Sequence, residues 1–123
     1  MLLTEPLADD ILKIKVSGKL EESDFIKIAP QVDELIRTHG NLRLLLDATA
    51  FNGWSDMEAA KKHFTFVRDH QKNIERIALI AGYAWQHWVA GIASVFVHPA
   101  IKVFDSGKQV EAEAWLRQRD KEL

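Results

Sequence analysis

Short apolar runs alternate with amphipathic stretches of helical periodicity along most of this sequence. The runs at residues 42–48 (LRLLLDA) and 75–82 (ERIALIAG) are too short for helices, and they indicate strands buried on both faces of a sheet. On either side of them, apolar residues recur every three to four positions, which is typical of amphipathic helices. Because strands that alternate with helices form mostly parallel sheets with right-handed crossovers, the sequence predicts an α/β fold.

Local signals in the first third of the chain predict a hairpin followed by a helix. A partly alternating strand covers residues 11–18, and residues 1–5 are expected to pair with it. Ser23 is expected to cap the helix that follows, since a serine side chain can accept a hydrogen bond from a free N–H of the first turn. Pro30 is expected to kink or divide this helix, and Gly40 is expected to end it.

The remaining two thirds repeat the strand and helix pattern. Residues 49–54 are expected to be irregular, and capping-box sequences at residues 55–58 and 106–109 open the next helix and the last one. A helix at residues 85–96 and a short strand at residues 101–104 complete the pattern. The predicted architecture is therefore a mostly parallel sheet of four to five strands with four crossover helices.

Composition limits the classes of protein to which the chain can belong. A single domain is expected to span residues 1–123, with 47% apolar and 28% charged residues. The net charge of −2 and the lack of charge runs predict no binding of nucleic acid and no attraction to an anionic membrane. Without cysteines, disulfides, thiolate nucleophiles and cysteine-based zinc sites are excluded. Neither a signal peptide nor a stable membrane span is predicted, so we expect a cytoplasmic location.

The sequence also resembles a known family through a series of short segments. They are GKL at residues 18–20, Asp24, Pro30, DELI at 33–36, HG at 39–40, the strand at 42–47, FNGW at 51–54, IERIA at 74–78, Phe104, and EAWL at 113–116. Their order and spacing resemble the SpoIIAA-like family over nearly the whole chain. The resemblance implies a STAS-like fold, which has also been compared with the CRAL-TRIO lipid-binding fold.

The same resemblance bears on Ser55. Better-known relatives of the family, the anti-sigma factor antagonists, carry an Asp-Ser-Ser-Gly loop after the corresponding strand, and a partner kinase phosphorylates a serine of that loop to switch binding. In this sequence the loop reads FNGWSDM, so Ser55 stands at roughly that place while the motif itself is missing. The resemblance therefore implies regulation through binding, but it does not imply the phosphorylation switch.

Aromatic residues follow two strands that are predicted to be neighbours in the sheet. Trp54 comes after the first of these strands, and Trp85 and Trp88 come after the next. The carboxyl ends of parallel strands share one edge of a sheet, which is the edge where ligands usually bind. Alternatively, Trp88 belongs to the core stripe of its helix and Trp54 covers the end of the sheet. The predicted ligand- or partner-binding residues are Asp47, Phe51, Trp54, Ser55, Tyr83, Trp85, His87 and Trp88.

The polar members of this set also have structural explanations. Ser55 is explained as a helix cap, although a phosphate there would be favoured by the helix dipole. Asp47 is the only acid or base beside the site, and a lone aspartate at a strand end usually bonds nearby backbone. His87 is placed to contact a ligand, yet solvated or helix-terminal positions explain all five histidines. None of them has metal-chelating spacing, and motifs for a nucleophile or a phosphate loop are absent, so no catalytic residue, metal or cofactor is predicted.

Two functions remain open at this point. The first is a non-catalytic regulatory module that binds a protein partner, or itself as a homodimer, through the aromatic edge. The second is a carrier of a small apolar molecule or lipid, which needs a cavity of several hundred cubic ångströms beneath the same aromatics. An enzyme that uses Asp47 and His87 is the third and weakest reading.

Overall fold

The computed structural model describes residues 1–81 and 100–118, which form one five-stranded sheet with helices packed on it. The strands lie side by side in chain order, with β1 antiparallel to β2 and all other neighbours parallel. The predicted α/β fold is thereby confirmed, while the helix predicted at residues 85–96 lies outside the described residues. The elements are β1 (Leu2–Ala8), β2 (Ile11–Leu20), α1 (Glu22–His39), β3 (Leu42–Trp54), α2 (Met57–His70), a 3-10 turn (Gln71–Asn73), β4 (Ile74–Ala81), β5 (Ala100–Asp105) and α3 (Gln109–Arg117).

The predicted hairpin forms, and its proline lies within the edge strand β1. Met1 and Ser17 exchange two backbone hydrogen bonds, of 3.0 and 2.8 Å. Because antiparallel pairs alternate between bonded and non-bonded positions, and Pro6 faces Leu12, the nitrogen of Pro6 falls on the free edge. A proline there costs no sheet hydrogen bond and removes one donor with which another chain could pair.

Helix α1 runs without interruption through Pro30 and ends as expected. Gly40 ends it with a positive φ of 84°, which glycine adopts readily, and its N–H donates to the Ile36 carbonyl at 2.7 Å. The expected cap at Ser23 is wrong, because the helix already begins at Glu22. The backbone N–H of Glu21 instead donates to the Asp24 carboxylate at 2.9 Å, which closes a capping box one turn long.

Each face of the sheet carries its own apolar core. Helices α1 and α2 cover the first face, and α3 covers part of the second. The first core includes the buried residues Leu12, Ile14, Val16, Leu20, Phe25, Ile28, Val32, Leu42, Leu44 and Ile74, and the second includes Ile11, Leu45, Ala78, Ile80, Ala112 and Leu116. Alternation along β3 sends neighbouring leucines to opposite cores, which explains why its apolar run is continuous.

Two arginines bind the carboxyl end of α3 to the second face. Arg43 is only 5% exposed, and its Nη1 donates to the carbonyls of Leu116, at 2.7 Å, and Gln118. Arg76, its register partner on β4, donates to the Trp115 carbonyl at 2.7 Å, and its guanidinium lies 5.0 Å from the centre of that indole ring. The last carbonyls of a helix have no hydrogen-bond donor within the helix, and positive charge is favoured at that end. The two guanidinium groups therefore supply both the missing donors and the favoured charge.

Candidate functional site

Strands β2 and β3 run together to the carboxyl edge of the sheet, where the aromatic residues were expected. β3 continues to Trp54, so the expectation of an irregular segment at residues 49–54 is wrong. Its register with β2 shifts twice, and Leu20 is still paired with Trp54. Gly18 and Gly53 have φ of 65° and 92°, a conformation that glycine adopts without strain. The glycines therefore let the pairing continue to Trp54, past Gly18, at which β2 was expected to end.

Trp54 is the centre of a group of stacked rings at this edge. Its indole meets the ring of Phe51 edge-on, with centroids 5.3 Å apart, and both side chains are half-buried against the first core. On its other side, the indole Nε1–H donates to Nδ1 of His63 on α2 at 3.1 Å. These contacts fix the indole between the end of β3 and the second turn of α2.

His63 links this group to α1. Its ring stacks on Phe25, with centroids 5.0 Å apart and ring planes 21° apart. Burial lowers the pKa of His63 from 6.5 to about 4, since the charged imidazole would lose its hydration there. The expectation that all five histidines are solvated or terminal is therefore wrong for His63. The sequence spacing of His63, seven residues before His70, does not indicate that its ring contacts side chains of other elements.

Ser55 lies next to these rings but does not cap α2. Its N–H still donates to the Leu20 carbonyl at 2.8 Å, so the sheet pairing holds Ser55 and the helix begins two residues later. The Asp56 carboxylate accepts the Ala59 N–H at 2.9 Å instead. Ser55 is exposed, and its hydroxyl makes no hydrogen bond within the described residues. The structural explanation for a serine at this position is thereby removed.

Asp56→Ala is expected to destabilise the fold, because it removes this cap and a negative charge at the positive end of α2. The expected loss in the free energy of unfolding is about 1 kcal/mol. Urea unfolding monitored by circular dichroism measures it. Ser55→Ala is the matched control, and it should change the stability by less than about 0.3 kcal/mol. A larger loss for the serine variant than for the aspartate variant would restore Ser55 as the cap.

Asp47 lies apart from the aromatic group. It alternates with Leu46 along β3, so it faces the side of the sheet that carries α3, whereas Phe51 and Trp54 pack on the opposite side. Its carboxylate accepts hydrogen bonds from the N–H and the hydroxyl of Thr49, at 3.1 and 2.7 Å. The structure thus brings together Phe51, Trp54 and Ser55, and it places Asp47 as an acceptor for nearby backbone.

This arrangement of sheet, helices and edge aromatics can be compared with known proteins. A model of the SpoIIAA-like family matches residues 11–117. The chain belongs to the SpoIIAA-like family. The resemblance drawn from the sequence is thereby confirmed. No curated protein sequence matches the chain significantly.

Several solved structures are similar in fold to this SpoIIAA-like chain. An uncharacterized protein of the DUF3478 family with a SpoIIAA-like fold, from Shewanella loihica PV-4, has a TM-score of 0.78 and 25% identity, covering 94% of this chain and 92% of that one. The anti-sigma factor antagonist SpoIIAA in its unphosphorylated form has a TM-score of 0.62 and 10% identity, covering 93% and 98%. The Bacillus cell fate determinant SpoIIAA in its phosphorylated form has a TM-score of 0.61 and 10% identity, and the match covers 90% of this chain and 97% of that one. At this identity the last two show the fold alone.

Two exposed apolar residues that sequence reasoning missed lie at the same edge of the sheet. Met57, the first residue of α2, is 71% exposed, and Ile26 in the first turns of α1 is 55% exposed. Both helices follow parallel strands and therefore begin at the carboxyl edge of the sheet. The available signal was weak, since the first turn of a helix is often exposed whatever its residues. The other predicted site residues lie outside the described residues: Tyr83, Trp85, His87 and Trp88.

A shallow groove of about 410 Å³ lies elsewhere on the protein, beside β5 and the start of α3. Its lining residues are Val103, Phe104, Asp105, Lys108 and Glu111. Lys108 forms an ion pair with Glu111 at 3.5 Å. The groove was not predicted, and its lining includes none of the aromatics of the candidate site.

The described part of the chain contains neither a cluster of metal ligands nor a membrane-spanning helix. Within residues 1–81 and 100–118, no group of three or more histidine, aspartate or glutamate side chains is placed to hold a metal ion. In the same ranges, no helix combines the length and the hydrophobicity that crossing a membrane requires. His70 serves a structural contact instead, since its Nε2 lies 2.7 Å from Asp33 on α1.

Proposed function

We propose that this SpoIIAA-like chain is a non-catalytic interaction module that binds a protein partner, or a second copy of itself, at the carboxyl edge of its sheet. The observation that carries the proposal is the exposure of Met57, which opens α2 three residues after the half-buried Trp54. Large apolar side chains that meet solvent next to rigid aromatics are typical of the centre of a protein interface.

The polar groups of this edge support binding better than catalysis. The Asp56 carboxylate is engaged in capping, and Asp47 faces the other side of the sheet. His63 has an acceptor nitrogen that is already occupied by Trp54. A reaction needs an acid, a base or a nucleophile within reach of one substrate atom, and these residues converge on no common point. The proposed partner surface consists of Ile26, Phe51, Trp54, Ser55 and Met57.

The second candidate is the carrier of a small apolar molecule or lipid at the same edge. Phe51 and Trp54 pack against each other and against the first core, which supports a filled edge more than a cavity wall. Native mass spectrometry of protein isolated from its host separates the candidates. An added mass of a few hundred daltons that is lost on denaturation supports the carrier, and a protein adduct or a doubled mass supports the interaction module.

Photo-crosslinking from position 57 tests the proposed surface directly. A benzophenone amino acid in place of Met57 is expected to give one discrete protein adduct in host cells, identifiable by mass spectrometry. The same probe in place of Val110, which is 78% exposed on α3, is the matched control and should give none. Adding Ile26→Asp should reduce the position-57 adduct by about tenfold, because it places a charge in the interface. Identical adducts from both positions, or none from either, would refute the proposal.

A further inference from the structure

His63 lies where three elements of the candidate site meet. Phe25 of α1 stacks on one side of its ring at 5.0 Å between centroids. The indole of Trp54, the last residue of β3, lies at 5.7 Å and donates its Nε1–H to Nδ1 at 3.1 Å. His63 itself belongs to α2. Its ring therefore connects two helices to the strand end that bears the proposed partner surface.

The direction of the hydrogen bond from Trp54 determines the protonation state of the His63 ring. An indole N–H can only donate, so Nδ1 of the imidazole must be the acceptor and the proton of the neutral ring must lie on Nε2. If Nδ1 gains a proton, two N–H groups face each other across 3.1 Å and the hydrogen bond is lost. The contact thus exists only while the imidazole is neutral.

The surroundings of His63 favour this neutral state. The neighbours that α1 and β3 place against it are the rings of Phe25 and Trp54, which carry no charge. In the described part of the chain, no carboxylate forms an ion pair with it. The nearby lysines of its own helix are exposed, and Lys61 is paired with Glu58 at 3.7 Å. Neither ring in contact with His63 supplies a negative charge that would pair with an imidazolium.

We propose that His63 is a positioning residue for the partner surface: its neutral Nδ1 holds the Trp54 indole inward, and loss of this acceptor releases Trp54 and, with it, the edge-on ring of Phe51. The importance of this contact for binding rests on the proposed function, whereas the contact itself does not. A partner that meets a surface ordered in advance loses less conformational entropy on binding. Neutral His63 would therefore strengthen binding without touching the partner.

Two substitutions distinguish the role of the hydrogen-bond acceptor of His63 from the role of its stacking ring. In His63→Asn, the amide oxygen is as many bonds from Cβ as Nδ1 is, so an acceptor remains while the stacking ring is lost. In His63→Phe, the ring that stacks on Phe25 remains while the acceptor is lost. The readout is the indole N–H signal of Trp54 in a ¹⁵N–¹H NMR spectrum, assigned by its disappearance in Trp54→Phe.

We expect the Trp54 indole proton to exchange with solvent about fivefold faster in His63→Phe than in the wild-type chain, because its hydrogen bond is gone. In His63→Asn the exchange should stay near the wild-type rate. Equal protection in His63→Phe and the wild type would overturn the proposal, as would equal loss of protection in both variants.

A pH titration of the unchanged chain keeps the proposal testable if either variant fails to fold. With ¹³C-labelled histidine rings, the His63 signal and the Trp54 indole signal should change with the same midpoint. Different midpoints would overturn the proposal. None of these measurements involves a partner. If they succeed while crosslinking at position 57 fails, the proposed function alone is refuted; the reverse pattern refutes only the role of His63.

Discussion

Replacing Arg43 with methionine is expected to lower the free energy of unfolding by about 3 kcal/mol. Methionine keeps most of the aliphatic packing of the arginine but donates no hydrogen bond. The buried carbonyl of Leu116 and the carbonyl of Gln118 then each lose the hydrogen bond that they accept from Nη1 of Arg43. Glu75 loses its hydrogen bond from the Nε–H of Arg43, which has a length of 3.1 Å. Because a buried acceptor without a partner costs more than a typical hydrogen bond contributes, the expected effect is large.

Urea unfolding measures this change, and amide hydrogen exchange shows where it acts. Exchange in α3 should accelerate more than exchange in β2 or β3, since the arginine holds the end of that helix. Arg37→Met is the matched control: Arg37 is 73% exposed and, among residues 1–81 and 100–118, forms an ion pair with Glu34 alone, on the surface of α1. Its loss should cost less than about 0.5 kcal/mol. Equal midpoints for the two variants would show that Arg43 is not needed to hold α3.

Acidification is expected to destabilise the fold through His63 by about 3 kcal/mol between neutral pH and pH 4. The pKa of His63 falls from 6.5 to about 4 when the ring is buried on folding. The unfolded chain therefore binds a proton more readily than the folded one, and protonation favours unfolding. The stability contributed by neutral His63 is complete above pH 6.5 and is lost as the pH falls through the interval down to about 4.

Thermal or urea unfolding at several pH values tests this dependence. In His63→Phe the ring cannot take up a proton, so this variant should lose about 3 kcal/mol less than the wild type over the same interval. His39→Gln is the control, since His39 is exposed at the end of α1. Its pH profile should run parallel to that of the wild type. Parallel profiles for the wild type and His63→Phe would contradict the assignment to His63.

The sheet could be predicted from the sequence because burial on two faces leaves a plain pattern. The runs that became β3 and β4 are continuous in apolar residues for that reason. Helix starts were less predictable, because they depend on where strand pairing ends. Ser55 has the right side chain for a cap, yet its N–H remains bonded to Leu20, and Asp56 is the first residue free to cap. Local preference was overridden by a contact with another strand.

The position of the edge aromatics in the sheet could be predicted from the sequence, but their contacts with other elements could not. Trp54 and Phe51 were placed at the correct edge because the carboxyl ends of parallel strands meet there. His63 was not recognised, since its partners Phe25 and Trp54 belong to other elements and no spacing rule relates the three. The same reason hid Arg43, whose main acceptor follows it by 73 residues. Contacts of this kind are set by tertiary packing and leave no periodic signal.

The match between strand order and chain order has a consequence for how a nascent chain acquires its structure. Each strand after β1 joins the sheet beside the strand made just before it, so no strand has to be inserted between two others. The face covered by α1 and α2 is thus assembled early in synthesis. Of the described helices, only α3 packs on the opposite face, and it reaches back to β1 when Arg117 donates to the Leu7 carbonyl at 3.2 Å. Until that helix emerges from the ribosome, Ile11 and Leu45 lack the apolar contacts of Ala112 and Leu116, and such incomplete apolar surfaces are where chaperones bind.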